Sequence, residues 1–279
     1  MRWPKAPTRW IEGRTLFVSV PFTWDLPALR DELQQGDLAW DSVIVGGPAV
    51  DMMPGWFNDL PHVHTGHGMP GAMQRVNPEA TKTSVGCIRR CEFCAVPQTE
   101  GRLRELDDWP DLPIITDNNL LACSRRHFDR VIERLKGHGW ADFNQGIDAR
   151  LLTAHHAQAI AEIGKVTVRL ALDSMSHRAA WENAVDTLTT NGVPKSRIRS
   201  YALIGFDSSP EEAWNRCQYI EQHVRMVLPM WFHELNALEL NSVTKEQGKL
   251  GWCDKERLHI MRYYYQHQGA ALKAEPEPE

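Results

Sequence analysis

Three cysteines, Cys87, Cys91 and Cys94, fall within eight residues of the chain. Thiolates spaced by three and then two residues on a loop can turn toward one point, and clustered thiolates are the ligands of iron-sulfur centres and of zinc. A structural zinc site normally closes with four ligands. No fourth cysteine sits at knuckle spacing, and Cys123 and His67 lie well outside it. Cys217 falls on the apolar face of a helical pattern and reads as core, which leaves Cys123 and Cys253 as candidates for a second metal site. His62, His64 and His67 stand in a stretch rich in glycine and proline. They read as exposed loop histidines, with metal ligation as the alternative.

Apolar runs that alternate with helical patterns must position the thiols. Behind the cluster the candidate strands are 82–86, 112–116, 141–144, 166–172, 198–204 and 226–232. Ser124 is placed to cap a helix with Phe128, Val131, Ile132 and Leu135 on one face. Ser209-Pro210-Glu211-Glu212 combines an N-cap, a proline in the first turn and a glutamate at the third helical position, ahead of Ala213, Cys217, Ile220 and Val224. Such alternation predicts a parallel sheet with right-handed crossovers, either open or curled into a partial barrel. Upstream, 15–20 reads as a buried strand, 26–33 as a short helix, and 41–45 as a second strand ending at Gly46-Gly47-Pro48. Residues 61–80 show no periodicity and are expected to be a connecting loop.

Bulk properties narrow the class. The chain has 279 residues, 42% hydrophobic and 24% charged, close to the averages of globular domains. One main α/β domain with an N-terminal addition is expected. A net charge of -5 argues against a broad cationic surface of the kind that binds nucleic acid nonspecifically. No window has the apolar length of a membrane span, and the first residues lack the apolar run of a secretory signal. A cytoplasmic protein with reduced thiols and no membrane partner is expected. The polar tail from Lys273 to Glu279 has too little apolar surface to pack.

The segment Gly86-Cys87-Ile88-Arg89-Arg90-Cys91-Glu92-Phe93-Cys94-Ala95-Val96-Pro97 resembles the cysteine motif of radical S-adenosylmethionine enzymes. Within that superfamily it is similar to the branch of methylthiotransferases and cobalamin-domain enzymes. The resemblance implies a partial (β/α)6 barrel over 81–235, preceded by an N-terminal α/β unit and linker over 1–80. A C-terminal helical extension would follow over 236–279. It also implies that Cys87, Cys91 and Cys94 hold a 4Fe-4S cluster whose fourth iron is open to S-adenosylmethionine. An external one-electron donor such as a flavodoxin or ferredoxin would reduce the cluster. Cleavage of the cofactor would then yield methionine and a 5'-deoxyadenosyl radical that modifies a substrate. Phe93 would lie beside the adenine. At successive strand ends, Asp117 or Asn118 would meet the amino group, and Gln145 and Asp148 would face the radical site. Asp173 or Ser174 would bond the ribose, and Gly205 would pack against adenine.

The N-terminal unit resembles a shortened cobalamin-binding domain without its cobalt-ligating histidine motif, so cobalamin is not expected. Cobalamin-dependent methyl transfer is the alternative. No cysteine precedes Cys87, which speaks against the second cluster of a methylthiotransferase. Toward the C-terminus, Pro229 to Asn236 and Lys245 to Trp252 are rich in Trp, His and amide side chains, and Lys255, Arg257 and Arg262 are basic. Such groups can stack on a base and meet phosphates, so a nucleic-acid base is the leading substrate expectation, with a peptide or small metabolite as its rival. A different class, an iron-sulfur redox sensor or zinc-binding protein without catalysis, would not need the polar strand ends.

Overall fold

A computed structural model describes residues 5–35, 40–66, 69 and 71–274, with side chains as far as Gln266. His67 and residues 275–279 lie outside this set.

The N-terminal unit comprises β1 (Thr8–Glu12), β2 (Thr15–Ser19), α1 (Leu26–Gln35), β3 (Ser42–Gly46), α2 (Pro48–Met52), β4 (Val63–Gly66) and α3 (Ala72–Val76). Its sheet runs β1-β2-β3-β4, with the first pair antiparallel and the other two parallel. Val18, Val43 and Val45 from the strands and Leu26, Leu29 and Leu33 from α1 form a hydrophobic core of their own. The expected loop over 61–80 therefore contains a strand and a short helix. Four strand residues and five helical ones are too few to show a period. His62 bonds the Leu33 carbonyl through Nε2 at 3.1 Å, and His64 is exposed on β4.

The second unit begins with β5 (Ala80–Thr81), β6 (Ser84–Val85), α4 (Val96–Thr99), β7 (Arg104–Glu105) and β8 (Ile114–Ile115). It continues through α5 (Arg125–His138), β9 (Trp140–Phe143), α6 (Ala154–Ala161), β10 (Lys165–Ala171) and α7 (Arg178–Thr190). β11 (Ile198–Ile204), α8 (Pro210–Glu221), β12 (Met226–Trp231), α9 (Lys245–Lys249) and α10 (Asp254–Ala274) complete the chain. Six strands form one parallel sheet in the order β5-β8-β9-β10-β11-β12, so strands neighbour one another in chain order. Right-handed crossovers then place the connecting helices on a single face.

Strand composition follows from that arrangement. On β11, Ile198, Ser200, Ala202 and Ile204 are buried, while the intervening Arg199, Tyr201 and Leu203 are partly exposed. The buried set meets Trp181 and Val185 of α7 and Cys217 of α8 in the larger core. Trp181 also donates to the Ser200 hydroxyl at 3.0 Å, so the indole N–H is satisfied where it is buried. Burial pushes the Cys217 thiol up to about 12, as befits an inert core thiol. Both expected caps form: Ser124 accepts from the His127 N–H, and Ser209 and Glu212 make a reciprocal capping box.

One predicted strand is divided. Residues 82–86 do not enter the large sheet, whose edge is Ala80–Thr81. Ser84–Val85 instead pairs with Arg104–Glu105 as a separate antiparallel hairpin. The C-terminal segment belongs to the core, for Trp252, Ile260 and Tyr264 are buried in it. Among the described residues no helix is long and apolar enough to cross a membrane.

Candidate functional site

Parallel strands present the loops after their C-terminal ends on one edge, where ligands of open α/β sheets bind. Here that edge carries a cavity of about 520 Å³. Cys87, Cys91 and Cys94 line one wall of it. Facing them are Asn118 and Asn119 after β8, Gln145 and Asp148 after β9, Asp173 and Ser174 after β10, and Phe206 after β11.

The cysteine loop is clamped at both ends by one carboxylate that the motif did not point to. Glu100 Oε1 accepts from Lys82 Nζ at 2.5 Å, while Oε2 accepts from the Gly86 N–H at 2.8 Å and from Asn118 Nδ2 at 2.7 Å. Burial pushes its carboxyl up, but Lys82 and the other donors outweigh that and hold it below the ordinary glutamate range. A carboxyl depressed in the folded state stabilises fully above its unfolded value and loses that contribution as pH falls through the folded one. Urea-unfolding midpoints should therefore drop below about pH 4.3. Glu100→Gln should remove part of that drop, and identical midpoint-against-pH curves for the two proteins would contradict the assignment.

Asp148 ties the loop to the strand ends. Arg89 Nε donates to its Oδ2 at 3.0 Å, Asn119 Nδ2 to the same oxygen at 3.2 Å, and Arg150 Nε to its Oδ1 at 2.7 Å. Burial would raise this carboxyl as well, yet Arg150 and Arg89 bring it below the usual aspartate range. With both oxygens engaged by the protein, Asp148 positions its neighbours. Cys87 Sγ accepts from the Arg89 N–H at 3.3 Å and from Asn119 Nδ2 at 3.7 Å. Burial pushes the Cys91 and Cys94 thiols up, with Arg150 opposing it at Cys91.

The remaining wall is aromatic and polar. Phe93 meets Phe206 edge-on at 5.4 Å between ring centres, and Phe206 meets Phe232 at 4.9 Å. Asp173 Oδ1 accepts from the Leu203 N–H at 3.0 Å across to β11, and burial pushes its carboxyl up. Asn119 Oδ1 is buried without a hydrogen-bond partner among the described residues, although its residue lines the cavity. A bound donor group would satisfy that orphaned acceptor.

Two of the expected site residues lie elsewhere. Asp117 points behind the cavity wall, where it is 2% exposed and accepts from Thr83 and Ser84. Adjacent residues on an extended segment face opposite ways, so Asn118 takes the front and Asp117 the back. Gly205 does not line the cavity: its φ is +81°, and an added Cβ would collide with the Trp231 ring. Its absent side chain admits that indole, while its carbonyl accepts from Gln247 at 2.9 Å. The cavity-side residues sequence reasoning missed are Asn119, Arg89 and Arg150, which carry no signature beyond polarity. Among the basic residues expected to meet phosphates, Lys255 and Arg262 are exposed. Arg257 is buried, pairs with Asp254 at 3.0 Å and lies over Trp231.

The chain shares the fold of radical S-adenosylmethionine enzymes. Two solved structures of TsrM, a radical S-adenosylmethionine methyltransferase from Kitasatospora setae, are similar to it. The first, with tryptophan substrate and the analogue aza-SAM bound, matches with a TM-score of 0.59 at 12% identity, over 81% of this chain and 63% of that one. The second, with cobalamin and a 4Fe-4S cluster bound, matches with a TM-score of 0.57 at 13% identity, over 79% and 64%. The chain thus spans less than two thirds of the length of the structures it matches. No family model and no curated protein sequence matches it. The expectation that cobalamin does not bind is not borne out by these likenesses, since one of the two structures holds it.

Proposed function

We propose that this chain holds a 4Fe-4S cluster on Cys87, Cys91 and Cys94 and binds S-adenosylmethionine in the adjoining cavity, as a radical S-adenosylmethionine enzyme on a partial barrel. The observation that carries this is that the three thiols and the side chains after four successive strands line one space of about 520 Å³.

When bound, the cluster and cofactor supply reductive carbon-sulfur cleavage driven by an external one-electron donor of the flavodoxin or ferredoxin kind. The protein's own groups do the rest. The Arg89 N–H and Asn119 Nδ2 at Cys87 hold the sulfur in place. Asn119 Oδ1 is the acceptor available to an ammonium group, Asp173 and Ser174 are those available to ribose hydroxyls, and Phe93 offers a ring face to adenine. A nucleic-acid base is the substrate class we carry forward.

A second reading, cobalamin-dependent methyl transfer, is favoured by one contact. α2, which follows Gly46-Gly47 at the end of β3, packs against α4, which follows Cys94. The strand ends of the N-terminal sheet therefore abut the cysteine loop. Anaerobic protein reconstituted with iron and sulfide should turn brown. With S-adenosylmethionine and dithionite it should release methionine and 5'-deoxyadenosine. A colourless protein holding one zinc at these thiols would overturn the proposal, and an intact cluster without cleavage would point to a redox sensor. Stoichiometric binding in a hydroxocobalamin titration would establish the second reading.

A further inference from the structure

Behind the cavity wall lies a second set of metal-binding side chains. A carboxylate oxygen of Asp117, the sulfur of Cys123 and a ring nitrogen of His127 lie within 4.8 Å of one another. Asp117 ends the turn out of β8, Cys123 precedes the N-cap of α5, and His127 sits in the first turn of that helix. A Cys-x3-His spacing at a helix entrance brings both donors to one side, and the strand end supplies the third.

The surroundings are those of a metal site. Asp117 and His127 are buried, at 2% and 5% exposure. Among the described residues no lysine or arginine is within ion-pair distance of the Asp117 carboxylate, and Lys82, whose charge acts on it from farther off, is paired with Glu100 at 2.5 Å. A buried carboxylate without a counter-charge is costly. Hydroxyls of Thr83 and Ser84 bond its Oδ2 at 2.7 and 2.5 Å. Glu105 Oε2 stands 3.8 Å from His127 Nδ1 while its carboxylate accepts from Ser124, and His127 Nε2 lies 3.0 Å from the Thr83 hydroxyl, which zinc would displace from that nitrogen. Trp109 covers the imidazole at 5.1 Å between ring centres.

We infer that Asp117, Cys123 and His127 form a zinc site of three protein ligands with an open fourth position, separate from the three-cysteine cavity. One thiolate, one imidazole and one carboxylate are a borderline-soft set that suits zinc. The thiol proton leaves to solvent as the zinc-sulfur bond forms, and the ion's two positive charges balance the carboxylate and the thiolate. Water fills the fourth position from the side on which Cys123 is partly exposed. The site staples the turn that carries Asn118 and Asn119 to the start of α5. It does so whether or not the cavity binds S-adenosylmethionine.

The test is zinc per chain, together with zinc-edge X-ray absorption, on full-length protein grown with added zinc. It uses the wild type with its cluster reconstituted, the triple variant Cys87→Ala/Cys91→Ala/Cys94→Ala, Cys123→Ala, Cys123→Ser and His127→Ala. Wild type and triple variant should each hold one zinc, with a single sulfur neighbour at about 2.3 Å. Cys123→Ala and His127→Ala should lose it, and any metal left in Cys123→Ser should show no sulfur neighbour. Zinc that vanishes in the triple variant but persists in Cys123→Ala, or a spectrum with three sulfurs, would assign the ion to the cluster cysteines and overturn the inference. Absence of zinc from both wild type and triple variant would overturn it as well. Circular dichroism of each variant separates loss of metal from loss of fold.

Discussion

Replacing Cys91 by alanine should take iron per chain from the stoichiometry of a four-iron cluster to background and abolish 5'-deoxyadenosine formation. The three cysteines are placed by different contacts. Cys87 receives N–H donors from Arg89 and Asn119, Cys94 donates its N–H to the Cys91 carbonyl at 3.0 Å, and Cys91 lies near Arg150. Three protein ligands are the minimum for a cluster with one open iron, so losing the central one leaves two irons without protein bonds. Because the cofactor carries the chemistry, activity should fall to that of a protein-free mixture. Cys253→Ser is the matched control, since Cys253 is exposed and lies outside the cavity lining. Iron and deoxyadenosine retained in Cys91→Ala, or lost equally in Cys253→Ser, would contradict the ligand assignment.

Gly86→Ala should be the most damaging substitution that removes no side-chain atom. Gly86 has φ of +78°, which costs an L-residue roughly 1–2 kcal/mol. An added Cβ would also collide with the Arg102 carbonyl and lie 2.8 Å from the Gly101 oxygen. Both obstacles are backbone, so neither can swing aside as a flexible side chain would. A total loss of about 2–4 kcal/mol is expected in urea unfolding, against a typical domain stability of about 5–15 kcal/mol. The residue before Cys87 must shift, so cluster retention after gel filtration should fall further than stability does. Gly137→Ala provides the contrast. That glycine lies in α5 with nothing within 4 Å of an added Cβ, and the change should stabilise by about 0.5–1 kcal/mol. Equal unfolding midpoints for wild type and Gly86→Ala would show that the turn tolerates a side chain.

What could be read from the sequence was whatever rests on local chemistry. Ser209, Pro210 and Glu212 announce a helix start because capping is decided within four residues. The spacing of Phe128, Val131, Ile132 and Leu135 announces a buried face for the same kind of reason. The ends of β9 and β10 were legible from the runs at 141–144 and 166–172, and it was the family resemblance that singled out Gln145, Asp148, Asp173 and Ser174 there. Decisions made by distant partners were not legible. Whether Asp117 or its neighbours face the cavity depends on how the turn after β8 leaves a two-residue strand, and no periodicity fixes that. Gly205 suggested a cofactor contact, but the group it admits is Trp231, 26 residues on by the numbering and brought beside it by the β11–β12 register. Glu100 was hidden because its role comes from Lys82, Gly86 and Asn118, which only the folded loop assembles around it.

The cysteine loop hangs from the thinnest part of the protein. β5 and β6 have two residues each, and β5 is the edge of the sheet, whereas β10 and β11 have seven and lie inside it. Short edge segments open locally at far lower free energy than the strands they border. The amide protons around Gly86 should therefore exchange with solvent long before those of Val168 or Ala202. An order of assembly follows. If the proposed cluster is held there, the sheet and its helices would be finished first on their own hydrophobic interior, and the loop would part from that scaffold to admit iron and sulfide. Loading and repair of the proposed cluster would then need no global unfolding.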